Sequence, residues 1–250
     1  MRPRPEFDPR RSLIDLARGA SDRTQLWLSF LEEFRPQRCA ELGVWKGTFS
    51  ASVLKACASV QSYYMIDPWR PLDAWKKPKN LSRETLLDAK ERAIEATEFA
   101  ADRRTVLQGT TLEVMDRIPD GSLDFVYVDG DHTLRGMTLD LISIIPKLKP
   151  SGVLAGDDLS TSLWQHGPEY EPSCVFPFAV HFAEAHHRLF VALPFEQYAI
   201  LPGQAFRMID TTGRYADVSL KSALALPWHK KLNRSVRQRL RVWRKDSSST

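Results

Sequence analysis

Residues 38–50 read Arg-Cys-Ala-Glu-Leu-Gly-Val-Trp-Lys-Gly-Thr-Phe-Ser. Cys39, Ala40 and Leu42 suit the end of a buried strand, with Glu41 near its tip. Gly43 and Gly47 flank a tight turn, and Thr48 to Ala58 has the spacing of a helix. Strand, glycine turn and helix make the ligand-binding corner of an open α/β sheet. Glycines let the backbone turn sharply because they carry no Cβ. The free N–H groups that open the helix favour a carboxylate or phosphate. A dinucleotide fingerprint would need glycine where Trp45 stands, and the Lys-Ser/Thr end of a phosphate loop is missing. The pattern that remains is Glu-x-Gly-x-x-x-Gly.

Further strands follow at helix-length intervals. Residues 62–66 form the second, ending at Asp67, which is placed either to accept from ribose hydroxyls or to cap the turn before Pro68. Residues 105–107 form the third. The turn after it carries Thr110 and Thr111, and Thr110 with Glu113 fits a capping box, which is compatible with ligand contact. Leu-Asp-Phe-Val-Tyr-Val, 123–128, is the fourth strand and ends in Asp129-Gly130-Asp131-His132. The helix over 133–149 buries Leu134, Leu141, Ile144, Ile145 and Leu148, and Pro146 shortens or kinks it. Residues 152–155 form the fifth strand and end in Gly156-Asp157-Asp158. A helix over 175–187 and strands at 189–193, 197–201 and 206–209 complete the pattern.

Ligands bind outside the carboxyl ends of such strands. This brings Asp129, Asp157 and Asp158 together. Bare carboxylates there repel and raise one another's pKa. A divalent cation relieves that, and oxygen-only ligands suit Mg²⁺, with Mn²⁺ as the alternative. His132 is a competent base near neutral pH. Its other reading is a helix cap or a hydrogen bond to Asp157. Asp131 either supports His132 or ligates the metal. Residues 68–80 hold three prolines and two tryptophans and form a long loop at the ligand edge. Trp69 and Trp75 either cover a ligand or pack the loop itself.

The Glu-Leu-Gly-x-x-x-Gly, Ile-Asp-Pro-Trp, Asp-Gly-Asp-His and Gly-Asp-Asp sequences, in this order, resemble class I S-adenosylmethionine-dependent methyltransferases. The stretch from Cys39 to about Leu201 is similar to the bacterial branch with macrolide-sugar and catechol O-methyltransferases. The resemblance implies a doubly wound α/β sheet of order 3-2-1-4-5-7-6 with strand seven antiparallel. It implies S-adenosylmethionine as cofactor, with Glu41, Gly43, Gly47 and Thr48 around its methionine part. Asp67 would hold the ribose, Thr110 and Thr111 would border the adenine, and Asp129 would close the pocket. The metal would sit on Asp129, Asp157 and Asp158. His132 takes the place of the lysine that serves as base in the catechol enzymes. The expected reaction is Mg²⁺-dependent O-methylation of a small hydroxylated molecule, with a metal-free enzyme using His132 as the alternative. Many relatives of this shape are dimers.

Length and charge fit this reading. The 250 residues suit one domain with appendages, divided here as 1–37, 38–210 and 211–250. No apolar run reaches the ~18 residues of a membrane span, and the N-terminal residues lack a signal-peptide core. Cys39, Cys57 and Cys174 suggest neither a zinc site nor a disulfide frame. The expectation is a cytoplasmic protein. The net charge is +4, but residues 229–245 hold eight basic side chains and no acid. Without them 27 basic residues face 31 acidic ones, a body at −4. That balance argues against a nucleic-acid binder. Leu232, Val236, Leu240 and Trp243 fall on one stripe, so residues 228–245 predict a basic amphipathic helix for a membrane surface or a partner. A non-catalytic protein binding through that helix is the reading from another class.

Overall fold

The computed structural model describes residues 7–73, 75–167 and 169–225. The basic helix expected over 228–245 and the first six residues of the N-terminal arm lie outside them.

Eight strands form one sheet in the order β3-β2-β1-β4-β5-β7-β6-β8. They are β1 (Arg38–Leu42), β2 (Ser62–Asp67), β3 (Arg104–Gln108), β4 (Leu123–Val128), β5 (Leu148–Gly156), β6 (Leu189–Leu193), β7 (Gln197–Leu201) and β8 (Arg207–Asp210). The expected seven-strand order is present, and β8 extends it by pairing parallel to β6. Strand β7 runs antiparallel to both neighbours. The other pairings are parallel, which leaves Leu42, Asp67, Val128 and Gly156 at one carboxyl edge.

Side chains alternate between two cores, as a doubly covered sheet requires. Cys39, Phe125 and Tyr127 face one side; Ala40, Leu42, Val126 and Val128 face the other. The first core is covered by α1 (Pro9–Ala17), α2 (Arg23–Phe34), α3 (Thr48–Ala56) and α4 (Arg83–Ala96). The second is covered by α5 (Thr111–Val114), α6 (Leu134–Ile144) and α7 (Val175–Ala185). Asp22, Ser82 and Thr133 cap α2, α4 and α6 through their side chains. A short helix, α8 (Leu220–Leu224), ends the described chain.

Packing crosses both of the domain boundaries read from the sequence. Trp27 of α2 is fully buried, lies edge-on to Tyr127, and donates from Nε1 to Gln197 Oε1 at 2.8 Å. Past residue 210, Tyr215 stacks on Phe176 and bonds the carbonyl of Leu159 through its hydroxyl. The buried face of α6 also differs from the expectation. It is Gly136, Met137, Asp140, Leu141 and Ile144, while Leu134 is 59% exposed. The helix stops before Pro146, which lies in a 3-10 turn at Ile145–Lys147. No described helix is long and apolar enough to cross a membrane.

Candidate active site

A cavity of about 450 Å³ opens at the carboxyl edge of the sheet, within the range usual for small-molecule sites. Leu42, Gly43, Ile66 and Asp67 line it, together with Thr110, Thr111 and Asp140 and with Asp129, His132 and Asp158.

Gly43 is required by backbone proximity. Its φ is +89°, and a Cβ there would sit 1.9 Å from the carbonyl oxygen of Asp129. Strands β1 and β4 come that close because Asp129 N–H donates to the Leu42 carbonyl. The other three residues expected around a methionine do not line the cavity. Gly47 caps α3 at φ +73°, and a Cβ on it would meet Ala93 Cα of α4 at 2.8 Å. Its role is the crossing of α3 and α4. Thr48 is exposed on the first turn of α3. Glu41 is buried beneath the corner, where Ser50 and Tyr63 both donate to its Oε2. Burial pushes its carboxyl up to about 8 against those two bonds.

Asp67 lines the cavity and also fixes its rim. Its Oδ2 accepts from Trp45 N–H at 2.9 Å and its Oδ1 from Trp69 N–H at 2.8 Å. Trp45 and Trp69 have φ of 53° and 41°, a left-handed backbone that bulky residues adopt at a cost. Trp69 is fully buried and donates from Nε1 to the Trp45 carbonyl, so it is the loop's own core. Trp75 instead faces the cavity and donates to Asp131 Oδ1 at 2.8 Å. Lys77, from the same loop, is buried and donates to Ser173 Oγ at 2.8 Å. The loop over 68–80 is thus tied across the site to the segments that follow β4 and β5.

The three-aspartate cation site does not assemble. Asp157 is 5% exposed and turned away from the cavity. Arg23 of α2 donates to its Oδ2, while Gln197 Nε2 and Asp158 N–H donate to its Oδ1. With these donors its carboxylate is neutralised without metal. Asp158 has a left-handed φ of 59°, which sends its carboxylate the other way. There Asp158 Oδ2 lies 2.7 Å from His132 Nδ1. The group that does gather is Asp129, His132 and Asp158, with one ligand atom from each within 4.8 Å of the others. That set contains a nitrogen and commits Asp158 to the imidazole, so it does not fit the oxygen-only coordination of Mg²⁺.

His132 is the centre of this group. Its Nε2 is buried without a hydrogen-bond partner, 3.6 Å from Asp129 Oδ1. Burial lowers the imidazole pKa, but the bond and charge of Asp158, helped by Asp129, outweigh it and the net shift is upward. For Asp158 burial raises the carboxyl, the His132 contact reverses this, and it ends lowered. Burial raises Asp129 to about 6. Asp158, not Asp131, supports the imidazole. Asp131 accepts from Trp75 and from Thr133 N–H at the start of α6.

Thr110 completes the expected capping box with Glu113. Thr111 donates its hydroxyl to Asp140 Oδ1. Arg23, Lys77 and Asp140 were not singled out by motif. Asp140 left a signal, since it falls with Met137, Leu141 and Ile144 on the buried stripe of α6. Arg23 and Lys77 left none, because they reach the site from outside the strand-end pattern.

A family model described as a methyltransferase domain matches residues 40–159. Protein y4gI of Sinorhizobium fredii (strain NBRC 101917 / NGR234) is 26% identical over 163 residues, covering 61% of this chain. The match spans only 17% of that protein's length. Among solved structures, the S-adenosylhomocysteine-bound methyltransferase PaMTH1 of Podospora anserina is similar at TM-score 0.51 and 16% identity, covering 78% of this chain and 88% of that one. A Staphylococcus aureus protein described as a putative caffeoyl-CoA O-methyltransferase reaches 0.56 at 13% identity, over 78% and 93%. The Bacillus cereus O-methyltransferase, also with S-adenosylhomocysteine, reaches 0.52 at 13%, over 79% and 92%. Likeness at such identity establishes the fold, a doubly wound α/β sheet shared with these methyltransferases, and residues 40–159 are similar to a methyltransferase domain.

Proposed function

We propose that this domain transfers the methyl group of S-adenosylmethionine to a hydroxyl oxygen of a small acceptor, with His132 as the base. The observation that carries the reading is the buried imidazole, held at Nδ1 by Asp158 and bare at Nε2. An Nδ1–H donated to the carboxylate leaves the Nε2 lone pair free to take a proton. The donor would lie along β1, β2 and β3, with its ribose on the lone pairs that Asp67 has left. It supplies a methyl carried on a sulfonium. The acceptor O–H gives its proton to His132 as the O–C bond forms and the S–C bond breaks. Trp75 and the loop that carries it would shield the reacting atoms from water. Sugars, natural products and aryl alcohols are the acceptor classes that suit the Asp-Gly-Asp-His sequence.

A metal-assisted variant rests on the grouping of Asp129, His132 and Asp158. Its mixed nitrogen and oxygen donors suit Mn²⁺ better than Mg²⁺. Incubation with labelled S-adenosylmethionine and a panel of hydroxylated acceptors, with and without EDTA, tests both readings. Acceptor-dependent formation of S-adenosylhomocysteine that EDTA leaves intact and His132→Ala slows by about 10²–10⁴-fold is expected. Loss in EDTA selects the metal variant. No product from any acceptor, together with no binding of S-adenosylhomocysteine by calorimetry, overturns the proposal.

A further inference from the structure

Lys77 is a buried cation that the proposed methyl transfer does not use. It is 6% exposed and lines the cavity. An ammonium carries three N–H donors. Ser173 Oγ takes one at 2.8 Å, and among the described residues no carboxylate forms an ion pair with it. Burial lowers its pKa, opposed first by the charge of Asp131. Asp131 itself uses Oδ1 for Trp75 and for Thr133 N–H. A buried charge needs a counter-charge and acceptors for its remaining donors. The other cations of the wall are engaged or exposed. Arg23 donates to Asp157, Arg70 to Glu113, Lys79 lies 4.4 Å over the Trp45 ring, and Arg135 is exposed on α6.

The bond to Ser173 brings this ammonium close to His132. Cys174, the next residue, donates its N–H to the His132 carbonyl at 2.7 Å. The charge of Lys77 reaches the imidazole, where it works against the upward shift. Trp75, two residues earlier in the loop, is held to Asp131, the neighbour of His132. An acceptor whose hydroxyl meets His132 Nε2 extends over the residues around it. An ammonium there, with donors to give, fits an anionic oxygen group, carboxylate or phosphate.

We propose that the acceptor is a hydroxylated acid whose carboxylate or phosphate is received by Lys77. The inference rests on methyl transfer at His132. Calorimetry on the full chain saturated with S-adenosylhomocysteine tests it with matched ligands. These are 3,4-dihydroxybenzoate against 3,4-dihydroxybenzamide, glucuronate against glucose, and glucose 6-phosphate against glucose. The first two pairs report a carboxylate and the third a phosphate. The charged member of at least one pair should bind roughly ten- to a hundred-fold more tightly, the usual worth of a hydrogen bond to a charged group. Lys77→Met keeps the apolar stem and should remove that preference by weakening the charged member alone. If it does not fold, Lys77→Gln, which keeps a donor for Ser173, should narrow the preference. A preference unchanged in a folded variant, a loss shared equally by the neutral ligand, or a wild type that favours no charged member overturns the proposal. Weaker binding of S-adenosylhomocysteine by a folded variant gives the ammonium to the donor's carboxylate and overturns it as well. Failure of the wild type to bind S-adenosylhomocysteine overturns the donor instead.

Discussion

Replacing Glu41 with glutamine should change how stability depends on pH. Burial moves this carboxyl from 4.5 to about 8. The folded protein therefore holds its proton where the unfolded chain has released it. Stability is greater below 4.5 and is lost as pH rises toward 8. Each pH unit in that window costs about 1.4 kcal/mol. Between about pH 6 and pH 9 the wild type should lose about 3 kcal/mol through this group. That is a large part of a domain's usual ~5–15 kcal/mol. Glutamine keeps the shape and the acceptor oxygen for Ser50 and Tyr63 but has no proton to lose. Urea unfolding of both proteins at the two pH values isolates the effect, because the other buried carboxyls are common to both. The gap in stability between Glu41→Gln and the wild type should move in the variant's favour by about 3 kcal/mol on going to the higher pH. Parallel pH profiles would refute a neutral, buried Glu41.

Gly43→Val should lower the melting temperature and abolish binding of S-adenosylhomocysteine, since its Cβ would meet the Asp129 carbonyl oxygen at 1.9 Å; unchanged melting and affinity by calorimetry would contradict that close approach. Trp75→Phe removes the bond to Asp131, worth about 1–3 kcal/mol for a charged acceptor. Trypsin should then cut faster at Lys76 or Lys79, and equal cleavage rates would show that the loop is held by other contacts.

The sheet was legible because each strand carries its own signal. Buried β-formers end in glycine or aspartate at the carboxyl edge, and the intervals fit strand–helix–strand steps. The eighth strand was legible too, at 206–209. The cavity lining at the strand ends was legible for the same reason: Gly43, Asp67, Asp129, His132 and Asp158 all line it. The difference between Asp157 and Asp158 was not legible. Adjacent residues share a sequence signal, and only the left-handed turn at Asp158 and the arrival of Arg23 from α2 separate their directions. Glu41 and Gly47 carry the motif yet serve packing, Glu41 beneath the corner and Gly47 at the helix crossing. A motif records which residue is needed, whereas burial decides whether ligand or neighbouring chain needs it.

The pH dependence of methyl transfer in the wild type and in His132→Ala, each with and without EDTA, tests the central claim most directly. His132 must be neutral to accept a proton, and the bond and charge of Asp158 hold its pKa above the ordinary imidazole value. The wild-type rate should therefore climb as pH rises through that raised value, unaffected by EDTA. His132→Ala should be about 10²–10⁴-fold slower, with the loss shrinking at high pH as the acceptor ionises unaided. A variant that keeps the wild-type rate and the same acid limb would contradict the assignment of His132 as the base.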